Sequence, residues 1–419
     1  MSMHAKSSNA HATSTSAGVA HVTGWRHAQL RAWRAVLFVA LLSCCSAAFA
    51  GKTRVVAWGG DIGNPMLDIP YSLDDAVAIS VPYVLRANGT VVEIGRMPPV
   101  VRARQAKAIA AARNCLLVLH RSGRVSAVGT GGACATPVPA DLSGVVAIAA
   151  GSRFALALTA SGHVRAWGDN LDGQTDVPAG LNGVRAIGAG NSHALALKAD
   201  GRVVAWGSNF DGERDIPADL ANVVAIDVGN FYNLALKSDG TVLAWGDIFE
   251  NPRPVPPDLP PVRALGAGEW RQAAVVLTDG SVREWGFQEG KALPPGLGNV
   301  QALAMGFAVN FALVAGAITP AEAFADLRVD LDALPAIEDA DRAALNYALD
   351  LAAGAVQGNR PALACQATRS FAELVAMPGV LASYPDRVVY FGAQSRDVLR
   401  LLRCARQPLR AVVASRARR

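Results

Sequence analysis

VRAIGAGNSHALALKADGRVVAWG, residues Val184 to Gly207, contains three short apolar stretches separated by turn residues. Val184-Arg185-Ala186-Ile187 and Ala194-Leu195-Ala196-Leu197 read as strands, and Val203-Val204-Ala205-Trp206 makes a third beyond Asp200-Gly201. Asp-Gly between two such runs signals a hairpin, because glycine accepts the positive φ that the tight turn demands. Leu195 and Leu197 share one face of the middle strand, and Ala194 and Ala196 share the other. Large residues on one side and alanines on the other suit a small sheet packed between two neighbouring sheets.

The stretch recurs. Its closing Trp-Gly returns at Trp167, Trp206, Trp245 and Trp285, with spacings of 39, 39 and 40 residues. Weaker copies end at Ile94-Gly95 and Val128-Gly129. The hairpin signals keep step at Asn88-Gly89, Ser122-Gly123, Ser161-Gly162, Asp200-Gly201, Asp239-Gly240 and Asp279-Gly280. Connectors such as Val177-Pro178-Ala179-Gly180-Leu181 and Ile216-Pro217-Ala218-Asp219-Leu220 separate the units. A period near 40 residues built from short strands means a propeller or solenoid rather than independent domains.

Six complete units end at Gly95, Gly129, Gly168, Gly207, Gly246 and Gly286. A seventh begins at Val300 and stops at Gly316 without its Trp-Gly strand. That strand stands at the other end of the chain, as Thr53-Arg54-Val55-Val56-Ala57-Trp58-Gly59. An N-terminal strand completing the last blade would close the ring and remove two sheet edges. The expected fold is therefore an all-β seven-bladed propeller over residues 51–316, followed by a small α-helical domain over 317–419.

The repeated A-x-x-G…L-A-L-K-x-D-G-x-V-x-A-W-G pattern resembles the regulator-of-chromosome-condensation repeat in its short bacterial form. Within that family the likeness is greatest to the secreted β-lactamase-inhibitory propellers, in repeat length and in the split closing blade. The resemblance implies a binding platform without catalysis and about three strands per blade.

Residues 1–50 carry Lys6, Arg26, Arg31 and Arg34 and no acid, then the apolar run Ala35 to Leu42, then Ala48-Phe49-Ala50. This is the plan of a signal peptide with an A-x-A cleavage site, and the run is too short to span a bilayer comfortably. Cleavage after Ala50 is expected; a lipid anchor on Cys44 is the alternative. Removing the four basic leader residues takes the formal net charge from +5 to +1, so the high isoelectric point is no nucleic-acid signature. Cys115, Cys134, Cys365 and Cys404 remain, an even number that suggests two disulfides in an exported protein. Three pairings are open; Cys115–Cys134 with Cys365–Cys404 keeps each bond inside one domain.

The first two units are degenerate, around Val81-Pro82-Tyr83 and at Ala127-Val128-Gly129. After Gly316 the period stops. Thr319-Pro320-Ala321-Glu322 is a capping-box helix start, and Leu345, Leu349, Ala352 and Val356 recur at helical spacing. Four or so packed helices are expected. From Arg387 onward nine arginines face one acid, Asp397. This reads as a solvated basic face or a contact for an anionic surface such as phospholipid or lipopolysaccharide.

Chemistry is sparse. His120, His163 and His193 are the histidines beyond the leader, and His193 sits where a repeat uses it for structural hydrogen bonding. No metalloprotease, C-x-x-C, nucleophile-elbow or phosphate-loop motif occurs. Asp169-Asn170-Leu171-Asp172-Gly173 and Asn209-Phe210-Asp211-Gly212 faintly resemble calcium loops but fit Asx turns better. No catalytic residue, cofactor or metal is assigned. The variable positions lie before each L-A-L strand: Asn114, Arg153, Ser192, Phe231, Trp270 and Ala308, with Tyr232, Glu269 and Arg271 beside them. Variable residues on a repeated scaffold make a recognition face, and Trp270 has the profile of an anchor.

The sequence thus points to an exported, monomeric, non-enzymatic protein whose propeller rim binds another protein or an envelope component. Two alternatives stand beside it: an inhibitor of a secreted or periplasmic enzyme, and an envelope polysaccharide hydrolase or lyase working in the central channel. The last would need convergent acids or histidines, which the repeat does not show.

Overall fold

The computed structural model describes residues 52–404, apart from the short segments 61–63, 96–99, 248–254, 269–271, 287–292, 295, 307–308, 333, 335–336, 378–379 and 382. The expected leader and the residues after 404 lie outside the described residues.

Seven antiparallel sheets follow one another. Blade four pairs Val184–Ala189, His193–Lys198 and Val203–Gly207, and blade five repeats it with Val223–Val228, Tyr232–Lys237 and Val242–Gly246. The alternation seen in the sequence becomes packing between blades. Ala194 and Ala196 lie against the large side chains of blade three, Phe154 and Leu156 among them. Leu195 and Leu197, both 0% exposed, pack on Ala235 and Trp245 of blade five. Burying a leucine contributes on the order of 1.5–3 kcal/mol, so each interface gains from the large-on-small match.

A single backbone contact registers consecutive blades. The glycine of each hairpin turn has φ between 78° and 88°. Its carbonyl accepts the first N–H of the next blade: Gly89 from Ala106, Gly123 from Val145, Gly162 from Val184, Gly201 from Val223, Gly240 from Val262 and Gly280 from Val300, at 2.9–3.3 Å. A Cβ on Gly201 would also come within 3.4 Å of the Val223 backbone, so both conformation and space favour glycine there.

The ring closes as the sequence implies. Thr53–Gly59 pairs antiparallel with Val309–Ala315 from Thr53↔Ala315 to Gly59↔Val309, giving blade seven the strands Val300–Met305, Val309–Ala315 and Thr53–Gly59. Trp58 is 4% exposed and its indole N–H donates to Glu284 of blade six at 2.8 Å. One blade departs from the three-strand expectation. In blade one, Val91–Glu93 is only three residues long, and Val100–Ala103 pairs with it as a fourth, outer strand. Both disulfides form with the intradomain pairing, Cys115–Cys134 and Cys365–Cys404, with Cα separations of 5.3 and 5.8 Å.

Four helices follow: α1 (Pro320–Asp332), α2 (Asp339–Gln357), α3 (Pro361–Val375) and α4 (Pro385–Leu401). The capping box is reciprocal. Thr319 N donates to Glu322 Oε2 at 2.7 Å, and Glu322 N donates to Thr319 Oγ1 at 3.2 Å. The bundle docks on the start of the propeller. The Tyr71 hydroxyl donates to the Ala323 carbonyl, Gln394 donates to Ile69 O, and Ser72 N donates to Asp397. Arg54 pairs with Glu322 at 3.2 Å. Arg387 corrects the reading of a uniformly solvated basic face: its side chain is 11% exposed and paired at 2.6 Å with Asp68, itself 10% exposed.

Three aspartates crowd this junction. Burial pushes Asp68 up to about 6 against the opposing pull of Arg387. Burial, with the Asp330 charge, pushes Asp326 up to about 6, and burial also raises Asp330 although Tyr390 donates to it.

Two predictions follow from this architecture. Trp58→Ala should cost on the order of 3–5 kcal/mol in urea unfolding, the usual size for deleting a buried indole. A loss below about 1 kcal/mol would show that the ring does not depend on its closing strand. The junction should also tighten in mild acid. An acid whose pKa is raised in the folded state adds stability below its unfolded value, and that stability is lost as pH rises through about 6. His193, lowered to about 4 by burial, acts oppositely over pH 6.5 to 4, so the readout is a difference between proteins. Relative to wild type, Asp326→Asn should gain stability at pH 7.5 and none near pH 4, a gain kept small because the side chain is exposed to screening solvent. A pH-independent difference would refute the coupling.

Candidate recognition face

Within each blade the strands run antiparallel from the axis outward, so two sets of loops share one face of the ring. One set joins first to middle strand; the other follows the Trp-Gly strand. Their proximity is visible in the backbone, where Asp169 N donates to Arg153 O and Ser208 N donates to Ser192 O.

Of the expected rim residues, Asn114 and Arg153 are exposed and Ser192 and Phe231 are half-buried. Arg153 lies 4.0 Å from Asp169. Tyr232 is not a rim side chain. It opens the middle strand of blade five, is 4% exposed, and its hydroxyl donates to Gln272 O at 2.5 Å while accepting from Gly268 N. Burial raises its pKa. The same position in blade four holds His193, 0% exposed, whose Nε2 lies 2.9 Å from Asn233 Oδ1. Asn233 Nδ2 donates to Glu213 O, so its oxygen is the acceptor and the imidazole proton sits on Nε2. Both side chains stitch one blade to the next, as Trp206 and Trp245 do through Gln174 O and Glu213 O. Trp270, Arg271, Glu269 and Ala308 lie outside the described residues.

Two residues not assigned to the rim from the sequence dominate it. Leu171 is 84% exposed and Phe210 75%, the highest values among the described large hydrophobic residues. They occupy matching positions in the loops after Trp167-Gly168 and Trp206-Gly207, and so stand on adjacent blades. Each loop is braced in the same way. Asn170 donates to Asp176 at 2.8 Å and accepts from Thr175 N at 2.9 Å. Asn209 donates to Asp215 at 3.0 Å and accepts from Arg214 N at 2.6 Å. The Asx chemistry read from these segments is present, with Leu171 N donating to Asp169 Oδ1. Its effect is to place a largely exposed apolar side chain at the apex of each loop. A repeated apolar residue inside otherwise polar turn motifs was the signal available in the sequence.

The axis of the ring opens on this same face as a cavity of about 480 Å³, lined by the first strands of all seven blades. Its described charged side chains are Asp227 and, at the mouth, Arg113. Hydrolysis or elimination by paired acids would need a second carboxyl or a histidine beside Asp227, and the described lining contains neither.

Residues 145–174, 184–213 and 223–247 match the regulator of chromosome condensation (RCC1) repeat family. Those segments lie in blades three, four and five and their connectors. No curated protein matches the sequence. Among solved structures, Prp20p from Saccharomyces cerevisiae, described with its binding to Gsp1p and histones, is 19% identical; the alignment covers 70% of this chain and 97% of that one, with a TM-score of 0.54. Yeast RCC1 (Prp20), in its complex with Kap60, is 17% identical, with 78% of this chain and 99% of that one covered and a TM-score of 0.53. At these identities the likeness concerns the fold: an RCC1-like propeller.

Proposed function

We propose that the chain is an exported, non-enzymatic binding protein that recognises a protein partner through the face bearing Leu171 and Phe210. The observation that carries this reading is the pair itself: two large apolar side chains at matching positions on adjacent blades, each on a loop stiffened by its own asparagine. Exposing such groups offers no benefit to an isolated fold, and grouped exposed apolar residues mark interaction sites. Preorganised loops lower the entropy cost of binding. Asn114, Arg153, Ser192 and Phe231 stand on the same face. They would supply the polar rim and further anchors.

Export is supported by the leader plan and by two disulfides, which persist in oxidising compartments. Among the described residues no helix is long and apolar enough to cross a membrane. Inhibition of a secreted or periplasmic enzyme is the narrower form of this reading, since an inhibitor would use the same face. The basic C-terminal region from Arg387 onward, apart from the paired Arg387 itself, is kept as a second, anionic-surface contact.

The test is a pull-down from the envelope and culture-fluid fractions of the producing cell, comparing the wild-type protein with Leu171→Asp/Phe210→Asp. A protein retained by wild type and lost by the double variant is expected, with a weakening of about 2 kcal/mol or more and an unchanged melting temperature. A partner retained equally by both proteins would place recognition elsewhere.

A further inference from the structure

The cavity on the propeller axis has one feature that the repeat does not prepare for. Along the first strands, the residue after the repeated isoleucine or leucine is small in the other six blades: Ser80, Ala110, Ala149, Gly188, Gly266 and Ala304. In blade five it is Asp227. Its Oδ2 accepts from Ala267 N of blade six at 2.8 Å, and its Oδ1 from Val228 N at 3.0 Å. Among the described residues no cation pairs with it. The Arg113 guanidinium belongs to blade two, across the ring, and its residue is exposed at the mouth. Asp227 keeps part of its surface accessible and lines the cavity.

A carboxylate enclosed without a countercharge is costly, and such groups are normally paired. Here the space beside it, about 480 Å³, falls within the range of small-ligand sites and opens on the proposed recognition face. We propose that the axial cavity is a binding site for an organic cation, an alkylammonium or guanidinium group on an apolar stem, with Asp227 as its counterion and the small-residue walls as the sheath for the stem.

The environment agrees with this assignment. Burial pushes Asp227 up to about 6, with the two amides opposing. Among the described residues the titratable group that feels the Asp227 charge is Tyr232 of the same blade, which supplies no positive charge. A cation binds the ionised form, so affinity should be full above about pH 7 and fall as pH drops through 6.

A cation free in solution and a basic side chain on a protein share this chemistry. Benzamidine probes the first. A cyclic peptide carrying one arginine, too bulky to enter whole, probes the second. Isothermal titration of the purified mature chain should show binding of at least one of them and none of benzamide, the uncharged counterpart of benzamidine. Asp227→Ala should weaken binding at least about tenfold, and so should a change from pH 7.5 to pH 5 in the wild type, by ionisation alone. That variant is expected to fold, because alanine occupies the same place in blades two, three and seven. Ala149→Leu keeps the carboxylate and fills the cavity, and should abolish binding as well. No binding of either probe, or binding that survives Asp227→Ala, overturns the assignment. The result is separable from the reading of Leu171 and Phe210, since the probes need neither residue.

Discussion

Everything in the ring depends on a hydrogen bond that no side chain makes. At six of the seven junctions, a turn glycine in the left-handed region offers its carbonyl to the first amide of the next blade. This contact sets the height of one sheet against its neighbour, and only then do Leu195 and Leu197 meet the alanine face of blade five. A β-carbon at the turn would resist the backbone conformation and crowd the following strand at once. The seventh junction lacks such a glycine because the chain is interrupted there. Thr53, arriving from the other end of the sequence, takes its place: its amide donates to Asp74 O and its hydroxyl to Ala76 O.

With the blades so registered, the two faces of the ring are free to diverge. The turn-glycine face is committed to holding the ring together. The opposite face carries loops whose sequences vary while their frames do not, and there Asn170 and Asn209 use the same pair of bonds to present different apolar residues. The helical domain packs against the 64–74 segment through Arg387, Gln394 and Asp397 and against the closing strand through Glu322, and leaves Leu171 and Phe210 exposed.

Much of this was legible in the sequence, for physical reasons that differ by residue. The ring was legible because period, turn and strand alternation all repeat, so Thr53 to Gly59 could be matched to a strand missing elsewhere. The rim was half legible. A position in the repeat predicts which loop a residue enters but not which way its side chain turns, so Tyr232 reads as a neighbour of Phe231 when its ring is buried between blades. Leu171 and Phe210 are hidden in the sequence because the polar residues around them carry the turn signal. Counting arginines could not reveal that Arg387 meets Asp68, its partner 319 residues away. Asp227 becomes conspicuous only when the first strands are laid side by side on a common axis.

The split blade has a consequence for the order in which the molecule can be made. Thr53 to Gly59 is the first strand of the ring to be synthesised, and its partner Val309 to Ala315 is the last. Until that moment the chain is an open arc, each blade held by its neighbour but the two ends bare. Joining them adds little entropic cost for the length of intervening chain, because that cost grows only logarithmically and the arc has already brought the ends near. What the arrangement imposes is a wait. A chain truncated before Val309 keeps an unpaired strand at Thr53 to Gly59, and completeness of synthesis is thereby written into whether the ring shuts.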